Sequence, residues 1–264
     1  EMRREIDLLN DYKAYKRLKE IIREFKPDIV HTHAAKAGAL GRLAAISCGV
    51  PIIYHTFHGH IFNSFYFGKL KTLFYKIIEQ YLAKKSTKII AISSIQADEL
   101  VNQHHIFKQE KLLIVPLGFD LQKFQDNVSE KRNSFRKRFC IAEDEIVIAI
   151  VGRLVMIKNH TLFLRAIQQV KSKTRKKLRV MIVGDGTERK SIEDKATELN
   201  LEFTNADAAT FKTITFTSWI KDIDWVCAGS DIIALTSLDE GTPVSLIEAQ
   251  AANKPIVSNN VGGI

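Results

Sequence analysis

Glu240 and Glu248 stand eight residues apart in EGTPVSLIE, a stretch that reads as a turn running into a short helix. Thr242 is placed to cap that helix and Pro243 to be its first residue, a position that suits a residue lacking an N–H. A helix starting there aims unpaired N–H groups above the preceding strand, an arrangement that favours a phosphate. Eight residues are about two turns, so the second glutamate lies well into the helix. Taken alone, the same residues also fit a surface helix with two solvated glutamates.

Three further groups carry chemistry. Gly152-Arg153 follows an apolar strand and Lys158 comes five residues later, before a helix. A guanidinium can fork onto a pyrophosphate and an ammonium adds a compact charge. Alone they are two of 39 basic residues on a surface loop. Gly184-Asp185-Gly186 sits at another strand end, where Gly-x-Gly by itself usually marks a tight turn. Together with the glutamate stretch these groups favour a site for a nucleotide diphosphate. Five histidines, His31, His33, His55, His58 and His60, lie in two short stretches. Neither stretch contains an Asp or Glu, so one histidine contacting a charged substrate group is favoured over metal ligation. Asp222-Ile223-Asp224 has the look of a metal-binding pair, but its place before a helix makes capping the better reading. No metal is expected.

The elements that must position these groups alternate. A helix with Ile6, Leu9, Tyr12, Leu18, Ile21, Ile22 and Phe25 at helical spacing is ended by Pro27. Short strands follow at 28–30, 51–54, 88–92 and 112–116, separated by a loop and small-residue helix through 31–45, a helix over 70–82 and a helix over 95–102 capped by Ser93 or Ser94. The polar segment 123–145, with one helix near 130–139, is expected to link two domains, 1–122 and 146–264. In the second domain, strands at 146–151, 179–183, 213–217, 231–235 and 256–258 alternate with helices, and 200–212 reads as a loop or insertion. This predicts an α/β protein of two Rossmann-like parallel-sheet domains with a cleft between them as the ligand site. A start on a crossover helix predicts an incomplete first domain, and the stop after Gly262-Gly263 a second domain cut short.

Composition narrows the partners. The chain has 264 residues, 45% of them hydrophobic, and its net charge of +9 points to an anionic ligand or surface. Residues 1–122 carry 18 Lys and Arg against 12 Asp and Glu, and the remainder 21 against 18. The excess is mixed among acids, so nucleic acid is not an expected partner. The longest apolar run, 146–151, is too short to span a bilayer. Three widely spaced cysteines, Cys48, Cys140 and Cys227, and a charged opening without a signal-peptide pattern suggest a reducing cytosol. The aromatic run Phe62, Phe65, Tyr66 and Phe67, beside lysines, fits packing on the sheet or peripheral contact with an anionic membrane at its inner face.

The chain resembles the retaining glycosyltransferases of family 4, the glycosyl transferases group 1 class with the GT-B fold. EGTPVSLIE, followed by A-x-A-x-x-KPIV and VGG, matches the E-x7-E motif. GRLVMIKN, VMIVGDG, FTSWIKDI and AGSDI match further second-domain segments; PDIVHTHAAKAGALGRLAA, HTFHGH and IVPLGFD match the first domain. By that resemblance Gly152, Arg153 and Lys158 bind the donor diphosphate, with Gly184 and Gly186 nearby and Trp219 and Ile220 next to the nucleoside. Gly241, Thr242, Pro243, Val244 and Ser245 would present helix amides to phosphate or sugar. Glu248 would hold the ribose, and Glu240 and His58 would act on the sugar. Two departures stand out: Leu117 where the family often has Asn before Gly118, and no N-terminal glycine-rich loop. The implied activity is transfer, without metal or separate cofactor, from a nucleotide-diphosphate sugar, UDP-sugar by preference. The acceptor would be a sugar or lipid-linked sugar in cell-surface polysaccharide or glycolipid synthesis. A sugar-nucleotide epimerase of the same fold, or a nucleotide-binding fragment without turnover, remain as alternatives.

Overall fold

The computed structural model describes residues 7–59, 62 and 68–264. His60, Phe65, Tyr66, Phe67 and Ile6, all singled out in the sequence, lie outside those residues. The chain divides into two compact units, the first reaching Gly118 and the second running from Phe119 to Gly262.

The first unit holds a four-stranded parallel sheet: β1 (Ile29–His33), β2 (Ile52–Phe57), β3 (Lys88–Ala91) and β4 (Leu112–Ile114), paired in that order. Helix α1 (Leu8–Phe25) precedes β1 and is capped by Asp7, whose carboxylate accepts the Asn10 N–H at 3.1 Å. It stops on Lys26, which takes the left-handed conformation with φ 50°, one residue before Pro27. α2 (Ala35–Ser47) packs close because its inner residues are small: Ala44 and Ala45 are fully buried, and Gly38 and Gly41 face the sheet. A Cβ on Gly38 would come within 2.4 Å of the His55 ring, and one on Gly41 within 2.9 Å of Thr32. α3 (Lys69–Lys85) is clamped to α2 by a buried ion pair in which the Arg42 guanidinium donates to both oxygens of Glu79, at 2.9 and 2.7 Å. Ser93 caps α4 (Ser94–Asp98), and a π-helical turn over Glu99–Gln103 completes that segment.

The second unit holds six parallel strands: β5 (Glu145–Val151), β6 (Lys177–Val183), β7 (Phe203–Asn205), β8 (Ile214–Ser218), β9 (Ile232–Leu235) and β10 (Ile256–Ser258). Their order is β10-β9-β5-β6-β8-β7. α5 (Val128–Arg138) precedes them, and between them run α6 (His160–Lys173), α7 (Arg189–Glu198), α8 (Ile223–Gly229) and α9 (Val244–Ala251). Two apolar clusters cover the two faces of the sheet. Ile150, Leu164, Ile182 and Phe216 belong to one, Val147, Met181, Ile233 and Leu246 to the other. Alternating residues of β5 and β6 thus face opposite layers, as a doubly covered parallel sheet requires.

The structure moves several boundaries. β1 runs on through His33 and β2 through Phe57, so His31, His33, His55 and Thr56 are strand residues rather than loop residues. Segment 123–145, expected as the linker, packs within the second unit: Phe135, Phe139 and Ile141 enter its core, and Phe124 packs with Cys227 and Ala252. Its polar composition hid an aromatic stripe at i, i+4 spacing in Phe135 and Phe139. Residues 203–205, expected as loop, form the edge strand β7, paired in parallel with β8. Three residues are too few for a periodic signal.

Candidate functional site

In the second unit the chain runs from β5 to β6, then to the edge strand β7 and back to β8 between them, and then crosses to the other side of β5 for β9 and β10. Strand order therefore reverses between β5 and β9, and the crevice beyond the carboxyl ends of such a pair is where open α/β sheets bind ligands. The predicted charged residues gather there. Lys158, after β5, donates to Glu240, after β9, across 2.5 Å. Their side chains are only 21% and 10% exposed, so the pair is partly shielded from water. Buried Ser237 donates to the same Glu240 oxygen at 2.5 Å. An ammonium has three N–H donors, and one is used here. The Lys158 stem passes over Gly152, its Cε 3.6 Å from where a Cβ on that glycine would stand. Arg153 is exposed, and its side chain makes no ion pair or hydrogen bond among the described residues.

The two loops are tied together by backbone. Thr236 donates its hydroxyl to the carbonyls of Lys158 and Asn159 at 3.2 and 3.1 Å, and the Leu238 N–H donates to Ile157 at 2.8 Å. Asn259 donates its amide to the carbonyls of Thr236 and Ser237. Behind them Gly262, at φ 55°, would place a Cβ 2.2 Å from the Glu240 carbonyl. Thr236, Ser237, Asn259 and Gly262 had no predicted role. The first two are short hydroxyl residues beside the motif, a pattern that carries no distinctive spacing.

Gly184 and Gly186 hold this site from below. Gly184 has φ 136° and its Cβ would fall 2.0 Å from the Gly152 carbonyl; that of Gly186 would fall 2.4 Å from the Leu154 carbonyl. The Gly152 N–H donates to Val183 and the Leu154 N–H to Asp185, at 2.9 and 3.0 Å. The glycines thus let the β6 turn press against the loop that carries Arg153. Further along the sheet edge a cavity of about 470 Å³ is lined by Arg189, Asn205, Asp207 and Ser218, none of them a predicted site residue. Arg189 is already bonded to Asp185, Ser218, Asn205 and Glu193 there.

Helix α9 begins one residue later than expected. Val244 is its first residue, Pro243 occupies the capping position, and no side chain caps it. The Val244 N–H turns back to the Thr242 carbonyl at 2.9 Å, and those of Leu246 and Ile247 reach Pro243. Val244 is therefore not a free amide donor, and Gly241 and Thr242 belong to the turn before the helix. Glu248 is half-buried; desolvation raises its pKa and Asp224 adds to this, while Lys123 opposes it. Glu240 and Glu248 thus have different neighbours. Trp219 is exposed beyond β8, and Ile220 packs on the second core cluster. Asp222 precedes α8 but its side chain makes no capping bond, and Asp224 pairs with Lys131 at 2.8 Å.

The first unit brings three of the histidines together. His33 Nδ1 and His58 Nε2 are 3.0 Å apart, so one carries the proton and the other accepts it. The rings of His31 and His33 lie 4.3 Å apart, and His31 Nε2 meets the Thr56 hydroxyl at 2.8 Å. Desolvation and the neighbouring His33 hold His58 below the usual histidine pKa, and His31 is lowered in the same way. These ring nitrogens are engaged with one another and with Thr56 instead of converging on a point. No group of three or more His, Cys, Asp or Glu suited to a metal occurs among the described residues. His55 is separate and fully buried. Its Nδ1 meets the Thr32 hydroxyl at 2.9 Å, its Nε2 has no partner, and burial with Arg42 nearby lowers its pKa to about 3.

Two α/β units, each built on a parallel sheet and the second with a strand-order reversal at β5/β9, fit the GT-B glycosyltransferase class. Two solved structures share the fold over nearly all of this chain. One is Anabaena HepE in complex with UDP and glucose, with TM-score 0.76, 21% identity and coverage of 96% of this chain and 63% of that one. The other is sucrose-phosphate synthase from Thermosynechococcus elongatus, with TM-score 0.81, 19% identity and coverage of 100% and 63%. Residues 131–264 match the family described as glycosyl transferases group 1, and residues 3–123 match glycosyltransferase family 4. The chain belongs to the glycosyl transferases group 1 family. Among its relatives, UDP-Gal:alpha-D-GlcNAc-diphosphoundecaprenol alpha-1,3-galactosyltransferase of Escherichia coli is 32% identical over 98% of this chain and 65% of its own length. A D-inositol 3-phosphate glycosyltransferase of Nocardioides is 28% identical over 90% and 53%. The chain thus spans between about half and two thirds of the length of these curated relatives. No helix among the described residues is long and apolar enough to cross a membrane.

Proposed function

We propose that the protein transfers a sugar from a nucleotide-diphosphate sugar to an acceptor, with the donor held in the second unit. The observation that carries this is the Lys158–Glu240 pair at the β5/β9 switch point, beside unpaired Arg153. In this reading Arg153 and the unused Lys158 donors take the diphosphate, and Glu240, braced by Ser237, faces the sugar. Glu248 holds the ribose hydroxyls, and Trp219 and Ile220 border the base. Gly152, Gly184 and Gly186 shape the phosphate loop, while Gly241, Thr242 and Pro243 before α9 and Ser245 in its first turn form the adjoining wall. His58 takes the active-site histidine role implied by its T-x-H motif.

The reaction is heterolysis of the sugar–phosphate bond. Arg153 and Lys158 stabilise charge as it develops on the leaving diphosphate, and the contact from partly shielded Lys158 weighs more than it would in water. The sugar is delivered with retention of configuration, and the protein's cations do this without a catalytic metal. The names of the relatives favour a UDP-sugar as donor and a lipid-linked sugar as acceptor.

Calorimetry with UDP tests the donor site. Each phosphate contact by a charged group contributes about 1.5–3 kcal/mol, so Arg153→Ala and Lys158→Ala should each weaken UDP binding by about 10- to 100-fold. Unchanged affinity in both variants overturns the assignment. Magnetic-resonance analysis of the product would read the anomeric outcome, and an inverted linkage would refute retention.

A further inference from the structure

We propose that the outward face of α3 is a docking surface for an anionic lipid bilayer. The inference stands apart from the donor site and does not depend on it. Thr72, Glu79, Leu82 and Ala83 form the buried face of α3, with Glu79 locked onto Arg42. On the opposite face Leu70, Leu73, Phe74, Ile77 and Tyr81 are 51–86% exposed. Their i, i+3, i+4, i+7, i+11 spacing puts them in one stripe along the helix. A helix on a soluble surface normally turns polar residues outward, so a continuous apolar stripe there needs an occupant.

Charge identifies that occupant. Lys69, Lys71, Lys76, Lys84 and Lys85 lie on the same helix, and its one acid, Glu79, is buried. Among the described residues no carboxylate pairs with any of the five lysines. Lysine is depleted at the centre of protein–protein interfaces, whereas an apolar stripe bordered by lysines is the pattern of a helix lying in the headgroup region. There the apolar side chains enter the acyl boundary, and the lysine stems reach back to anionic headgroups. α1 makes the contrast. Its Leu8, Leu9, Tyr12 and Phe25 are also exposed, but Asp11, Glu20 and Glu24 stand among its basic residues. It therefore lacks the uniform sign that an anionic surface selects.

Flotation of the whole chain with phosphatidylcholine vesicles, with and without phosphatidylglycerol, tests this. The protein should float with the anionic vesicles, at least ~10-fold more tightly than with neutral ones, and release as salt rises. Leu73→Gln/Phe74→Gln/Ile77→Gln should reduce vesicle binding by at least ~10-fold, because it removes buried apolar surface. Lys69→Gln/Lys71→Gln/Lys84→Gln should erase the preference for anionic lipid. All six positions are exposed, so both variants should keep the parent's melting curve by circular dichroism. Failure of the parent to float, or floating by both variants as well as the parent, overturns the proposal. So does a parent dimer that the Leu73/Phe74/Ile77 variant converts to monomer, since that assigns the face to a second copy. The UDP calorimetry is unaffected by any of these results.

Discussion

Lys158, Glu240 and Ser237 act as one unit. Glu240 accepts from both partners on one oxygen, so its position is set from two sides. Glu240→Gln keeps the shape but removes the charge that anchors the ammonium. We expect that variant to lower kcat about 100-fold or more while changing UDP affinity less than about 10-fold, since in the proposed reading the carboxylate faces the sugar and the cations take the phosphates. A steady-state analysis with the donor sugar checks it, and an equal loss in UDP affinity would count against the assignment. The individual charged residues were legible because Arg, Lys and Glu at glycine turns have few structural uses. Ser237 was not, because a serine beside a turn has many. His58 was named from the resemblance alone, and its pairing with His33 came only from the meeting of β1 and β2 in parallel register, with His33 opposite Thr56.

At the scale of elements, the loop after β5 is held by the glycines after β6, and a missing side chain is what lets two backbones meet. A methyl on Gly186 would overlap the Leu154 carbonyl, against which no flexible side chain can yield. Gly186→Ala should destabilise the second unit by about 2 kcal/mol or more, in line with strain at a crowded backbone position, and should weaken UDP binding with it. Gly59→Ala, where a Cβ meets nothing within 4 Å, should melt as the parent does. Equal melting of the two variants in a thermal scan would refute the packing argument. In the first unit the comparable joint is electrostatic. Glu79→Ala leaves the fully buried Arg42 unpaired and should cost about 3–5 kcal/mol, measurable by urea unfolding. Most strands and helices were readable from apolar spacing. α9 was displaced by one residue because Pro243, placed for the first turn, stands at the cap with a ψ of 80° instead.

At the scale of the whole molecule, among the described residues each unit carries one buried histidine that resists protonation. Desolvation lowers His55 to about 3 and His160 to about 4, with Arg42 and Lys158 respectively adding to it. Both His160 ring nitrogens lack partners, as does His55 Nε2. An unfolded chain takes up these protons near pH 6.5, and the folded chain only near pH 4 or below. Stability is therefore full above about 6.5 and falls as pH drops through that window, as a chain already at +9 gains further charge. Urea midpoints measured between pH 7 and pH 4 should decline steadily, and His160→Phe should flatten the decline. A midpoint independent of pH over that range would contradict the burial of both rings.

By itself the sequence determined the α/β class and a two-unit division to within a few residues at the first boundary, and it singled out the charged residues proposed for the site. Apolar periodicity, glycine turns and the spacing of scarce charged groups are local properties of a chain, so they can be read in one dimension. Tertiary structure alone decided that segment 123–145 belongs to the second core and that Gly184 and Gly186 support the loop beneath Arg153. It also decided that Val244 keeps its amide proton for Thr242, and that Lys158 reaches Glu240 across 82 residues of chain. Those outcomes depend on which strands lie side by side. Strand order at the β5/β9 reversal comes from the packing of both sheet faces, and no short stretch of sequence encodes it.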